Sequence, residues 1–504
     1  MARESLPTII QGGMGAGVSG WRLARAVSMA GQLGVVSGTA LDVLLARRLQ
    51  RGDPDGHVRR ALEHFPFPEI AQRILDRYFL AGGKAPNQPF KSTPCPNAEM
   101  SRQARDLLVA GNFVEVFLAA EDHECPVGIN YLEKIQLRTL PSLFGAMLAG
   151  VDWVLMGAGI PKSIPGHIDR FAAGEATKLK LDVKNADPGE AFFTEFDPHA
   201  FCNGHVPLLK RPGFLAIIAS ATLGALLVKK STGRVDGLVV EGPSAGGHNA
   251  PPRGRLQIGR RGEPVYGDRD IPDLAAIRAL GVPFWLAGSY GSPERVAEAL
   301  EAGAAGVQVG TAFAYCEESD LNADLKMAIL EQSAANEVDI VTDPVASPTG
   351  FPFKVVRLGN SLTGEVMYEA RPRVCDLAYL RHAYKMPNGA LGWRCPAEPV
   401  EDYERKGGDV EETFGRKCIC NRADGEYRSR TDPGAWPPRG SLGHLGNGRR
   451  RRRPILGPGR NVLLGPERHP VFARRRKTSG ERLVTGGRRI SPFTPSGNVF
   501  AITR

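Results

Sequence analysis

Eight short apolar runs recur through the first 320 residues, each followed by a turn and most by a segment of helical spacing. They are Thr8–Gln11, Gly34–Ser37, Val127–Tyr131, Asp152–Met156, Phe214–Ala219, Val235–Glu241, Pro283–Ala287 and Gly306–Val309. Most are continuous rather than alternating, as expected of parallel strands covered on both faces. Segments such as 140–150 and 292–306 place apolar residues at helical intervals. Strands alternating with helices predict βαβ units, and eight of them predict a closed (β/α)₈ TIM barrel of the α/β class. A doubly wound open sheet is the alternative, and it would usually set its phosphate loop after the first strand.

Other stretches depart from this rhythm and divide the chain. Residues 1–320 are read as the barrel. Within them, 43–112 carry charged amphipathic helical phrases (VRRALEHF, EIAQRILDRYF), a helical insertion that leaves a homodimer open. Residues 177–213 contain KLKLDV and AFFTEF, read as short extra strands in a small insertion. Residues 321–420 form a mixed appendage with a helix over LNADLKMAILEQSAAN. From 421 to 504 the chain is rich in Arg, Gly and Pro without sustained periodicity. Such material cannot bury enough apolar surface to order itself, so it is read as a disordered or frame-shifted tail.

Charge changes the picture mainly in that tail. The net charge is +10, but residues 421–504 hold 18 Arg and 1 Lys against 5 acidic residues. The preceding 420 residues carry 45 basic and 49 acidic side chains, so the body offers no footprint for nucleic acid. No apolar run is long enough for a membrane span, and the opening MARESLPTIIQGG lacks the apolar core of a secretory signal. Eight scattered cysteines suit a reducing compartment, so a cytoplasmic protein is expected.

The candidate chemistry lies in the turns. LAGSYGSPE sets Gly288, Ser289 and Gly291 after the seventh strand, with Ser292 as N-cap and Pro293 as first helical residue. VQVGTAF sets Gly310 and Thr311 after the eighth. Glycines let backbone N–H groups approach phosphate oxygens, and this barrel commonly builds its phosphate site from these two loops. EGPSAGGHNAPPRG follows the sixth strand, where Gly246 and Gly247 admit a flat ring and His248 can move protons near neutral pH. After the first strand, QGGMGAG offers Gly13 and Met14 as a backbone turn. It superficially resembles a dinucleotide fingerprint but has no convincing acidic ribose partner. GINYLEKIQ offers the amides of Asn130 and Gln136, and GAGIP another backbone approach.

Two groupings have metal-like spacing. Cys375, Cys395, Cys418 and Cys420 could supply four thiolates, but without a paired C-x-x-C zinc is not expected. His199, Cys202 and His205 are read as loop residues with coincidental spacing.

PTIIQGGMG, the Asn of GIN, GAGIP, AGGH, LAGSYG and VQVGTAF together resemble the nitronate monooxygenase (2-nitropropane dioxygenase-like) flavoenzymes over roughly residues 5–320. That resemblance implies a barrel holding FMN non-covalently, with His248 beside the flavin as a base. The wording PSAGGHNAPPRG, GINYLEKIQL and LMGAGIP is closer to a branch that includes enoyl reductase components of polyunsaturated fatty acid and polyketide synthases. Three activities are therefore carried forward: oxidation of alkyl nitronates with O₂, FMN-dependent enoyl thioester reduction with NAD(P)H, and a non-catalytic flavin-binding role. The partner in either enzymatic case is a small molecule, a nitronate or an acyl thioester.

Overall fold

The computed structural model describes residues 6–358, 365–370, 372–375 and 377–420. The Arg-rich segment 421–504 lies outside them. The eight apolar runs become β1 (Ile9–Gln11), β2 (Gly34–Ser37), β3 (Val127–Leu132) and β4 (Trp153–Gly157), followed by β5 (Gly213–Ile218), β6 (Gly237–Glu241), β7 (Phe284–Ala287) and β8 (Gly306–Val309). All pair in parallel with their sequence neighbours, and β8 pairs with β1. The remaining seam, between β1 and β2, is closed by Gln11 N–H to Leu33 O at 2.9 Å and Leu33 N–H to Ile9 O at 3.1 Å. This is the expected barrel.

Alternation along the strands builds two layers. Ile10, Val35, Leu155, Leu215, Val239 and Trp285 fill the interior. Their strand neighbours Val36, Ile129, Val154, Phe214, Leu238 and Leu286 face the helices. Such continuous burial on both faces explains the unbroken apolar runs. Trp285 is fully buried and its indole N–H still finds Pro7 O at 2.8 Å. Gly306 is required where β8 meets β1, since a Cβ there would lie 2.0 Å from Thr8 O.

One strand starts later than its apolar run suggests. Before Gly237, the Asp236 carboxylate accepts from Phe214 N–H at 2.8 Å and pairs with Arg211. That polar commitment delays β6 by two residues relative to Val235.

Between β2 and β3 run helices Leu41–Gln50, His57–Glu63, Pro68–Tyr78 and Arg102–Ala120. Ser101 caps the last of them by accepting from Ala104 N–H at 3.3 Å. Strands Thr177–Leu181 and Phe192–Phe196 form an antiparallel pair, with Phe196 packed among Phe144, Phe171 and Phe201. Beyond the barrel come helix Ala323–Ala334 and two antiparallel pairs, Asp339–Asp343 with Phe353–Arg357 and His382–Lys385 with Leu391–Arg394. The second pair adds in parallel to Val183–Lys184, tying the appendage to the small insertion.

Candidate functional site at the barrel mouth

The loop after β6 is shaped by Asn249, buried to 3% exposure, whose amide donates to Pro243 O at 3.3 Å and Ala245 O at 3.0 Å. It is pinned from the other side by the strand Phe353–Arg357, through Lys354 N–H to Gly247 O at 3.0 Å and Asn249 N–H to Pro352 O at 2.9 Å. Gly247 sits at φ +71°, and a Cβ on Gly246 or Gly247 would meet nothing within 4 Å. The loop therefore borders open space. His248 Nε2 lies 2.7 Å from Ser347 Oγ, and the ring packs edge-on to Phe353 at 4.9 Å. Nδ1 makes no hydrogen bond to any described residue. Burial without a nearby carboxylate pushes the imidazole down to about 4, so it is neutral at pH 7.

The loops after β7 and β8 stand against this wall. Gly288 has φ +97° and its hydrogen faces Ala245 N, where a Cβ would approach to 2.7 Å. Ser289 follows at φ +63°, an uncommon conformation for a residue with a side chain. Among the described residues, the N–H groups of Gly288, Ser289, Tyr290, Gly291 and Gly310 donate no hydrogen bond. Ser292 caps helix Pro293–Glu301 as expected, accepting from Arg295 N–H at 3.3 Å. Gly310 opens the short helix Thr311–Ala314, whose first N–H groups cannot be satisfied within the helix. A Cβ on Gly310 would lie 3.6 Å from Met14 Sδ, and one on Gly13 would lie 2.5 Å from Asn130 Cβ. Thus Gly13 meets Asn130, Met14 meets Gly310, and Gly288 meets the histidine loop. A run of unpaired amides beside an open glycine face fits a phosphorylated flat ring such as FMN.

Gln136 is placed differently. Its amide donates to Glu133 at 3.1 Å and accepts from Asp182 N–H at 2.7 Å, joining the end of β3 to the small insertion. It also lines a cavity of about 220 Å³ with Lys134, Arg138, Lys184, Arg381 and Arg416. That cavity has five cations against the carboxylates of Asp182 and Glu412.

Three residues of interest were missed by motif reading. Ser347 touches His248 only through an appendage distant in sequence. Gln308, on β8, has a buried Oε1 without a partner beside Gly12. Glu241 ends β6, and partial burial of its carboxyl pushes it up to about 8. It borders a small cavity with Gly242, Asn249, Arg253 and Tyr266. A carboxyl at the C-terminal end of a barrel strand was the available signal. Among the described residues, no three His, Cys, Asp or Glu side chains stand in a ready-made metal-binding arrangement. No helix among them is long and apolar enough to cross a membrane.

The barrel and its mouth thus define the class: a (β/α)₈ scaffold presenting glycine-rich loops with unbonded backbone amides beside a neutral histidine. Residues 164–347 match the nitronate monooxygenase family model, an oxidoreductase family and the one that the motifs resemble. The match takes in Gly246, Gly247, His248 and the loops after β7 and β8. Nitronate monooxygenase of Pseudomonas aeruginosa is 33% identical over 151 residues, 29% of this chain and 40% of that protein. A probable nitronate monooxygenase of Bacillus subtilis is 37% identical over 131 residues, 26% of this chain and 35% of that one. The chain therefore spans less than half the length of either relative. Among solved structures, nitroalkane oxidase from Streptomyces ansochromogenes is 16% identical over 70% of this chain and 77% of that one, with a TM-score of 0.39. FabK from Thermotoga maritima is 17% identical over 71% and 73%, with a TM-score of 0.38. At that level of likeness no substrate transfers from either structure to this chain.

Proposed function

We propose that this chain is an FMN-dependent oxidoreductase that oxidises alkyl nitronates with O₂. The observation that carries the reading is the contact of Gly288 with Ala245, which makes the phosphate loop and the histidine loop one wall. The amides after β7 and β8 would hold the FMN phosphate, and the open face at Gly246 and Gly247 would receive its ring. Bound FMN would supply the redox chemistry. Asn130 and Gln308 offer amide groups for the polar edge of a ring.

His248 then acts on the substrate. An imidazole whose conjugate acid has a pKa of about 4 holds a proton weakly at pH 7. It suits an orienting role better than abstraction of a proton from carbon. When Ser347 O–H donates to Nε2, Nδ1 carries the hydrogen and can donate to an anionic nitronate oxygen. Thr349 supports this polarity, because its N–H donates to Ser347 Oγ at 3.2 Å. Phe351 and Phe353 shield the ring from water on the appendage side.

The 220 Å³ cationic cavity favours a second reading, reduction of an enoyl thioester whose carrier brings a remote phosphate. The two separate on one sample. Purified protein should be yellow, release FMN on heating, and consume O₂ with a nitronate. Rapid anaerobic bleaching by NADPH, with no nitronate-dependent O₂ uptake, would favour the thioester reductase. Absence of both activities would leave a non-catalytic flavin carrier.

A further inference from the structure

The cavity that Gln136 lines is walled by three parts of the chain that are distant in sequence. Lys134 and Arg138 follow β3, Lys184 belongs to the small insertion, and Arg381 and Arg416 come from the appendage. Its volume is about 220 Å³. Whole drug-sized ligands begin to fit at roughly 300 Å³, so this space suits an ion or one group of a larger molecule.

The five cations are not equivalent. Lys134 Nζ stands 3.0 Å from Asp182 and 3.2 Å from Glu133, and Lys184 Nζ stands 3.1 Å from Glu412. The buried Arg138 lies 3.5 Å from Asp42 and over the ring of Tyr379. These three are compensated. Arg381 and Arg416 form no ion pair with any described carboxylate. Arg381 commits Nη2 to Cys95 Sγ at 2.6 Å, while its Nε is buried without a partner. Arg416 donates from Nε to Glu412 O at 3.3 Å, and from Nη1 to Val345 O at 2.9 Å and Ser347 O at 2.6 Å. Arg381 Nη1 and Arg416 Nη2 donate to no described residue. His382, also on the wall, adds no charge: burial, with Lys184 and Arg394 nearby, pushes it down to about 4.

A guanidinium drawn out of water with donors unfilled is costly, so two of them in one cavity call for an anion. A carboxylate is satisfied by one guanidinium fork. Two forks from separate segments match an oxyanion that presents oxygens on several sides. We propose that this cavity is a phosphate site held chiefly by Arg381 and Arg416, apart from the glycine loops of the barrel mouth. The phosphate is either free or a monoester carried on a larger molecule. The inference does not depend on which reaction the mouth performs. It does reach toward that mouth, because Arg416 holds Ser347 O and Ser347 Oγ meets His248 at 2.7 Å. Thr349, on the cavity wall, lies 2.8 Å from the same hydroxyl.

The test titrates the full chain, as purified, with inorganic phosphate by calorimetry in a phosphate-free buffer of low ionic strength. A saturable site of about one phosphate per chain is expected. Arg381→Gln and Arg416→Gln should each weaken binding about tenfold or more, the worth of a hydrogen bond to a charged group. Lys178→Gln, on an exposed strand of the small insertion, should leave it unchanged. If loss of the Ser347 contact unfolds the Arg416 variant, Arg381→Gln alone decides. Competition identifies the source within the proposal. Displacement by NADPH but not NADH gives a nucleotide 2′-phosphate, and displacement by coenzyme A but not its 3′-dephospho form gives a carrier-type monoester. Displacement by none of the four gives free phosphate. Absence of saturable binding would overturn the site, as would binding that survives Arg381→Gln and vanishes in Gly310→Val. Neither result bears on flavin content, so this inference and the flavin reading fail separately.

Discussion

His248 and Ser347 meet at 2.7 Å although 99 residues separate them. The serine is fully buried, and its hydroxyl is also 2.8 Å from Thr349 Oγ1. The histidine is therefore held by the appendage rather than by its own loop, in a polar chain that needs no charge. If His248 orients an anion, His248→Ala should slow a preformed nitronate and the parent nitroalkane alike. The expected loss is about 10- to 100-fold, the worth of one hydrogen bond to a charged group. His248→Gln should recover part of it. Ser347→Ala should cost up to about tenfold, the value of a neutral hydrogen bond. Steady-state rates on both substrates check this. A loss confined to the nitroalkane would instead make His248 the base that the family resemblance implies.

Gly288 and Gly310 separate two consequences of adding a side chain. At Gly288 the backbone is at φ +97° and a Cβ would stand 2.7 Å from Ala245 N, so the histidine loop must shift. Gly288→Ala should lower both flavin content and the thermal midpoint, by about 1–3 kcal/mol of stability. Gly310 is at φ −112°, with only an ordinary contact to Met14. Gly310→Val should leave the fold intact and the protein colourless. Absorbance per chain and thermal melts measure the two effects. Normal flavin content in Gly310→Val would remove the loop after β8 from the cradle.

The same contrast explains what was legible in the sequence. The eight strands could be located because most are apolar on both faces, a signal that needs no partner to read. Glycines after β7 and β8 were visible because a backbone that bends at positive φ or approaches another loop closely, as at Gly288, needs a residue without a side chain. Ser347 was invisible because a serine in a polar turn has no signature until Phe353 pairs with His248. Gln136 was named for its amide, but which group an amide bonds depends on where the small insertion returns, here at Asp182.

That placement gives Gln136 its own test. Both ends of its amide are occupied within the protein, by Glu133 and Asp182. Gln136→Ala should cost about 1–2 kcal/mol of stability, the sum of two partly exposed hydrogen bonds. Flavin content should be unchanged. A bleached but equally stable variant would place Gln136 against the cofactor instead.

Acid and alkali should each destabilise the protein, for opposite reasons. His167, His248 and His382 are all lowered by burial to about 4 from an ordinary value of 6.5. A depressed histidine contributes stability above its unfolded pKa and loses it as the pH falls through the folded one. The loss therefore runs from about 6.5 down to 4. Glu241, raised by burial from 4.5 to about 8, has the opposite sign: its contribution is present below 4.5 and lost as the pH rises to 8. Between 4.5 and 6.5 three histidines outweigh one carboxyl; above 6.5 only the carboxyl among these four still acts. Chemical denaturation from pH 4 to 8 should thus place the stability maximum near 6.5, with each arm worth on the order of 1 kcal/mol or more. Glu241→Gln keeps the neutral shape of the carboxyl and cannot ionise, so it should remove the alkaline arm and leave the acid arm standing. A variant less stable than wild type at pH 8 would mean that Glu241 is ionised and paired there, and its place as a neutral group at the end of β6 would fail.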